Sequence, residues 1–266
     1  MRRALTYAAV VVTTVTLAAG CDSGGSEQAA APTSVPSTAP ASTSATAPPS
    51  TAPAPTASPT PTSTAPAKPK KLRSGAKGPR VVALQKRLTE LGYWNGKADG
   101  SFGGQTQQAV FALQKAARLG RDGVVGPKTQ QALDQGVRPK ARSSKGRVIE
   151  ISLKRQLLML VDDGEVSQVF NTSTGSMERY EQNGATYLAD TPSGKFRVSR
   201  QIDGWRHAPL GLLWRPKYFN GGIAVHGANS VPPYPASHGC ARLSISAMNY
   251  LWTSNKIPID TRVWVY

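Results

Sequence analysis

Leu157-Leu158-Met159-Leu160-Val161-Asp162-Asp163-Gly164-Glu165-Val166-Ser167-Gln168-Val169-Phe170 reads as two apolar runs joined by an acidic, glycine-containing turn. Runs of this length flanking Asp-Gly predict a β-hairpin. Just upstream, Ile149, Ile151 and Leu153 alternate with Glu150 and Ser152, the period-two pattern of a half-buried strand. Downstream, residues 196–199, 222–225 and 262–266 read as further strands, and Met248, Leu251 and Trp252 place one helix after Ser244. Residues 147–266 are therefore expected to form a mainly-β sheet or sandwich with a helix on its side.

Working outward, the preceding segment has a different period. Val81, Leu84, Leu88 and Leu91 recur every three or four residues and predict a helix that opens at Gly78-Pro79 and is capped by Gly92. A second helix is expected from about Gln105 to Leu119, with Val110, Leu113 and Ala117 on one face, and a short third from Pro127 to Leu133. Asp99-Gly100-Ser101-Phe102-Gly103-Gly104-Gln105-Thr106 repeats 23 residues later as Asp122-Gly123-Val124-Val125-Gly126-Pro127-Lys128-Thr129. In each copy Asp-Gly makes a turn, an apolar residue anchors it, and the next helix follows. This gives a small three-helix unit over residues 72–136, joined by a connector over 137–146 to the β part.

The N-terminal quarter reads as targeting and tether. Arg2 and Arg3, a short apolar stretch and Ala18-Ala19-Gly20-Cys21 form a signal peptide over residues 1–21. Its end resembles a bacterial lipobox, with Cys21 as the lipidated residue and Ala18 where leucine is commoner. Residues 22–71 form a linker, of which 31–67 contain only Ala, Pro, Ser and Thr apart from Val35. Such a composition cannot bury enough apolar surface to order itself, and its reach is on the order of 100 Å. The formal net charge is +17; Arg2, Arg3, Asp22 and Glu27 cancel, so residues 68–266 carry the same +17. With an export signal, that charge favours an anionic cell wall over nucleic acid as the partner. It does not choose among stem-peptide carboxylates, teichoic-type polymers and lipid headgroups.

The chain has two cysteines, Cys21 and Cys240. An exported protein that keeps one unpaired thiol has a reason to keep it. Cys240 ends Ser237-His238-Gly239-Cys240, and His226-Gly227 lies fourteen residues earlier. A thiol with a nearby imidazole is the minimum kit for acyl transfer through a thioester. Gly239 lets the backbone approach a carbonyl, and the N–H groups of Gly239 and Cys240 are expected to face a developing oxyanion. No Asp or Glu occurs between Gly204 and Ile259, so a backbone carbonyl near Gly227, or a Ser or Asn, must orient His226. The arginines and lysines of that stretch are expected to lower the thiol pKa and to suit a substrate bearing carboxylates. His238 has either a structural and orienting role or a place lining the site. Trp214 and Tyr218 either line a substrate groove or belong to the core. A zinc site built from His226, His238 and Cys240 lacks any flanking ligand pattern.

His226-Gly227, the spacing to Cys240 and Ser-His-Gly-Cys-x-Arg resemble the signature of the L,D-transpeptidase (YkuD-like) catalytic domain. So do Ser173-Thr174-Gly175, the run from Thr191 to Phe196 and the run from Arg215 to Phe219. The leucine-rich first helix and the two Asp-Gly turns resemble a peptidoglycan-binding domain. The fold class implied is multidomain: a small all-α three-helix domain plus a mainly-β catalytic domain. The resemblance implies that Cys240 is the nucleophile and His226 the general base and acid, with Ser237, His238, Gly239 and Gly227 in oxyanion or orienting roles. Arg242 and Tyr218 are the expected substrate-binding residues; the family often has asparagine at the position of Arg242. It further implies 3→3 cross-linking of tetrapeptide stems, no metal or organic cofactor, and covalent inhibition by carbapenems. Expected partners are stem peptides and glycan, together with a membrane through lipid on Cys21, so the expected location is extracytoplasmic and lipid-anchored, facing the wall. Two alternatives stay open: an L,D-carboxypeptidase that releases terminal D-alanine, and a non-catalytic wall-binding lipoprotein.

Overall fold

A computed structural model describes residues 70–266. The expected signal peptide, Cys21 and nearly all of the expected linker lie outside the described residues. Among the described residues, no helix is long and apolar enough to cross a membrane.

Three helices come first: α1 (Pro79–Glu90), α2 (Gly104–Ala116) and α3 (Pro127–Asp134). Proline opens α1 and α3, where its missing N–H costs nothing. α2 stops three residues before the expected Leu119, because Arg118 turns left-handed at φ 57°. The repeated Asp-Gly turns share a clamp that the sequence pattern did not reveal. Gln85 Nε2 donates to Asp99 Oδ1 (2.8 Å) and Gln85 Oε1 accepts from Gly100 N (2.9 Å). In the second copy, Gln114 Nε2 donates to Asp122 Oδ1 (2.6 Å) and Gln114 Oε1 accepts from Gly123 N (2.9 Å). Each glutamine also reaches a threonine of the following helix, Thr106 or Thr129. Phe102 and Val125 are buried as the anchors.

The β part has two five-stranded sheets. The first has the order β3-β2-β1-β12-β6, from β1 (Arg147–Ser152), β2 (Leu157–Asp162), β3 (Glu165–Asn171), β6 (Gly194–Arg197) and β12 (Arg262–Val265). The second joins β11 (Ala241–Ser244), β10 (Ile223–Ala228), β9 (Gly211–Asn220) and β7 (Arg200–Gln201), with β8 (Trp205–Ala208) also on β9. β4 (Arg179–Gln182) and β5 (Ala185–Leu188) form a separate hairpin. α4 (Ile245–Thr253) begins at Ser244, whose Oγ accepts from Ala247 N. Ile149, Ile151, Leu158 and Leu160 of one sheet meet Val225, Ala241 and Leu243 of the other, with Met248 and Leu251 of α4 between them.

The half-buried reading of β1 is corrected. Glu150 is fully buried, because residues 142–143 and Tyr266 cover its face. Its carboxylate accepts from Arg142 N, Ser143 N, Ser143 Oγ and Tyr266 Oη, and those donors offset the cost of burying it. β2 is likewise buried on both faces. Leu158 and Leu160 face the sandwich, while Leu157, Met159 and Val161 face the helices and form one core with Leu84, Leu88 and Leu113. A continuous apolar run is what such a strand requires.

Candidate active site

β10 and β11 are parallel, with Val225 opposite Ala241 and His226 opposite Arg242. Cys240, one residue before β11, therefore stands level with Ala224. Strand alternation then sorts the side chains. Val225, Ala241 and Leu243 enter the sandwich core, leaving Ala224, His226, Cys240 and Arg242 to the opposite face. From strand spacing and rise, the Cα atoms of His226 and Cys240 lie roughly 8 Å apart, with side chains on the same side. Both line one cavity of about 800 Å³, together with Ser237, His238, Gly239, Tyr218 and Arg242.

His226 is buried. Its Nδ1 lies 2.9 Å from the carbonyl oxygen of Gly227. With the Nδ1 hydrogen assigned to that carbonyl, Nε2 keeps its lone pair. Burial, joined by the charge of Arg242 and opposed by the Gly227 hydrogen bond, lowers the imidazole pKa to about 4. Burial likewise raises the Cys240 thiol, while Ala224 N–H and Arg242 pull the other way. The expectation of a lowered thiol pKa is thus reversed: desolvation outweighs the nearby positive charge. The resting pair is a neutral thiol and a neutral imidazole. Cys240 Sγ accepts from Ala224 N at 3.4 Å and packs against Leu213, Tyr218 and Ala224.

The turn around the thiol is held from inside. Ser237 Oγ accepts from Gly239 N (3.0 Å) and donates to Cys240 O (2.6 Å). The Gly239 N–H is therefore spent within the turn, which corrects its expected place as an oxyanion donor. Gly239 remains necessary for its conformation, φ +148°, and because a Cβ there would stand 2.8 Å from Asp190 O. Thr191 Oγ1 donates to Gly239 O (2.6 Å) and accepts from Gly175 N (2.9 Å). Ala236 N and Ser237 N both donate to Thr174 O. The motif segments 173–175 and 191–196 thereby frame the 236–240 loop.

A second brace comes from α2. Lys115 is buried, and its Nζ donates to Gln156 O (2.8 Å), Thr172 O (3.0 Å) and Asn171 Oδ1. Asn171 Nδ2 donates to Gln108 Oε1 and Val231 O, Gln108 Nε2 also donates to Val231 O, and Arg121 donates to Pro233 O. Val231 and Pro233 belong to the loop that links His226 to Cys240. The apolar stripe on α2 did not single out Lys115 or Gln108; residues 109–116 are buried on every side.

His238 is exposed, and its ring meets Tyr180 edge-on at 4.8 Å. Tyr218 lines the cavity beneath Arg200, whose guanidinium carbon is 3.7 Å from the ring centroid. Trp214 belongs instead to the core side, donating from Nε1 to Asn249 Oδ1. Arg200, Arg206 and Arg242 are the cavity's basic residues, and Asp190 is its one acidic lining residue. That balance suits a substrate bearing both carboxylate and amine. The β4–β5 hairpin adds Tyr180, Gln182, Tyr187 and Leu188 to the rim. Among the described residues, no group of three or more His, Cys, Asp or Glu side chains is placed to hold a metal ion.

Two family models match the chain: "Putative peptidoglycan binding domain" over residues 77–133 and "L,D-transpeptidase catalytic domain" over 146–265. A crystal structure of the L,D-transpeptidase (residues 123–326) from Xylanimonas cellulosilytica is 56% identical, with a TM-score of 0.74. That match covers 76% of this chain and 100% of the other. N-acetylmuramoyl-L-alanine amidase CwlL of Bacillus licheniformis is 48% identical over 79 residues, 29% of this chain and 22% of that protein. Amidase CwlM of Mycobacterium tuberculosis is 43% identical over 56 residues, 21% of this chain and 14% of that protein. The chain thus spans a minor part of the length of these curated relatives.

Proposed function

This chain belongs to the L,D-transpeptidase family, and from that premise we propose that it is a wall-acting transferase that uses Cys240 to join peptidoglycan stem peptides. The observation that carries the reading is the placement of Cys240 and His226 on one face of adjoining parallel strands, inside one cavity, with Nδ1 directed to Gly227 O.

Cys240 Sγ attacks the carbonyl joining the diamino acid at position three to terminal D-alanine. Nε2 of His226 takes the thiol proton during the attack, so a neutral pair suffices at rest. The Cys240 N–H is the candidate donor to the oxyanion, since Gly239 N–H is occupied; losing such a donor costs about 3 kcal/mol of transition-state stabilisation. The C–N bond breaks, the imidazolium passes its proton to the departing amine, and a thioester remains. The side-chain amine of a second stem attacks it, His226 accepts the amine proton, and a 3→3 link forms while the thiol is restored. Arg242, Arg200 and Arg206 are the candidate partners of stem carboxylates, and Tyr218 lines the donor site. His238 and Ser237 position the loop. The same thiol is the expected site of acylation by carbapenems. The 72–136 module holds the enzyme against the wall, extracytoplasmically; lipid on Cys21 would tie it to the membrane.

Incubation with tetrapeptide stems followed by muropeptide analysis tests this reading. Cross-linked dimers are expected, and a Cys240→Ala variant should make none. Tripeptides without dimers would assign the carboxypeptidase instead. Unchanged stems, with no carbapenem adduct on Cys240 by mass spectrometry, would leave only a binding protein.

A further inference from the structure

A second cavity, of about 890 Å³, lies where the end of α2, the connector and the β1–β2 turn converge. Eight of its lining residues are lysine or arginine, and none is aspartate or glutamate. Four of the eight are engaged by protein. Lys115 has its three acceptors, Arg121 donates to Pro233 O, Arg138 donates to Val166 O, and Arg142 lies 3.7 Å over the Tyr266 ring. The other four are Arg118, Lys140, Lys154 and Arg155. Among the described residues they make no side-chain hydrogen bond and join none of the four ion pairs, which all lie elsewhere. The field of this cluster is felt by its neighbours. Burial, together with the charge of Arg121, lowers Lys115 to about 6, while Arg138 and Arg155 act against the burial that raises Tyr93.

Gathering four cations without an ion-pair partner from three chain segments opposes folding by mutual repulsion, which the buried Glu150 carboxylate behind Tyr266 offsets only in part. A bound anion relieves it. We propose that this cleft is a binding site for a phosphate-bearing polymer, separate from the Cys240 cavity. Two features favour phosphodiester over stem peptide. A stem brings amines as well as carboxylates, and the cleft has no acidic residue to receive an amine, whereas the Cys240 cavity has Asp190. Guanidinium forks also match the paired oxygens of phosphate. Leu119, Leu157 and Met159 supply an apolar floor for the linking carbons of such a polymer. The site would hold the enzyme to anionic wall material without occupying the catalytic cavity.

Fluorescently labelled inorganic polyphosphate is the probe, with anisotropy measured on the full-length chain. Saturable binding is expected that weakens by about tenfold or more between 50 and 200 mM salt. The triple variant Arg118→Ala/Lys154→Ala/Arg155→Ala should lose about tenfold in affinity, while Lys86→Ala/Lys97→Ala/Lys128→Ala, which removes the same charge elsewhere, should stay within about twofold. Equal losses in both would overturn a localised site. Equal binding of poly-L-glutamate would overturn the preference for phosphate. Displacement of the probe by phosphatidylglycerol vesicles would assign the cations to a membrane surface and not to a polymer. If the first triple variant does not fold, Arg118→Glu alone, at an exposed side chain without a protein partner, should still cost about threefold; unchanged affinity there overturns the assignment.

Discussion

The β2–β3 and β4–β5 hairpins turn on the same chemistry. Each uses an Asx-Gly pair with both residues at positive φ: 47° and 86° at Asp163-Gly164, 51° and 75° at Asn183-Gly184. Their surroundings are opposite. β2 is covered on both faces, by the sandwich core on one side and the helices on the other. β5 is exposed along its whole length, and Tyr180 and Tyr187 stack on each other at 5.7 Å over the cavity rim. A turn sequence therefore specifies a hairpin without specifying its use. Two-sided burial makes scaffold, and exposure leaves an element free to meet substrate.

The largest test of that contrast is truncation of one leucine in each hairpin. Leu158 is fully buried in the sandwich core, so Leu158→Ala should destabilise the protein by about 2–5 kcal/mol in urea unfolding. Leu188 is 44% exposed, and Leu188→Ala should change stability by less than about 0.5 kcal/mol. Equal effects would mean that the rim hairpin is part of the folding core after all.

The scaffold hairpin is also where Lys115 docks, through Asn171 at the end of β3, and this gives a pH signature. The unfolded chain holds the lysine proton up to about its ordinary value of 10.5, whereas burial lets the folded chain release it near 6, after which the neutral amine keeps two of its three donated hydrogen bonds. Between these limits unfolding takes up a proton, so this group makes wild-type stability rise with pH, by at most about 1.4 kcal/mol per unit. Lys115→Met should remove that slope while leaving Gln156 O and Thr172 O without their donor. The measurement is urea stability of both proteins from pH 6 to 9; parallel curves would place the proton on Lys115 throughout.

The difference between the hairpins also explains what was legible in the chain itself. The run Leu157–Val161 announced its strand because burial on both faces demands unbroken apolarity. It did not say what covered the outer face, since a helix and a second sheet ask for the same residues. The acid–base pair was legible because chemistry restricts Cys240, His226 and the glycines to particular types. Its supports were not: Thr191, Gln156, Asn171 and Lys115 are common polar residues whose roles depend on contacts between distant segments. Glu150 misled for the same reason, as alternation marks polarity and not exposure. The rim hairpin, polar and short, left only Asn183-Gly184 as a trace.

A functional test turns the contrast around. Tyr180 packs on His238 and, with Tyr187, borders the cavity. Tyr180→Ala and Tyr187→Ala should leave the melting temperature nearly unchanged but reduce kcat/KM for stem peptides about three- to tenfold, mainly through KM. A fall in kcat alone would mean that Tyr180 acts by orienting the His238 loop.

The finest comparison uses one methyl group at matched positions. Gly164 and Gly184 both have left-handed backbones, and a Cβ at either meets no heavy atom closer than 3.5 Å. Gly→Ala therefore carries the same intrinsic conformational cost at both sites, about 1 kcal/mol. Where that cost registers depends on what unfolds with the turn. The β2–β3 turn opens only with the core it closes, so Gly164→Ala should lower global stability by the full amount. The β4–β5 hairpin can open alone, because among the described residues no other strand pairs with it. Gly184→Ala should then leave the melting temperature nearly unchanged, because the hairpin has already opened before the core melts, while under native conditions amide exchange at 180–187 quickens about fivefold, the same 1 kcal/mol expressed locally. Equal shifts in the melting temperature would show that the rim hairpin stays closed until the core unfolds, coupled to it through the contact of Tyr180 with His238.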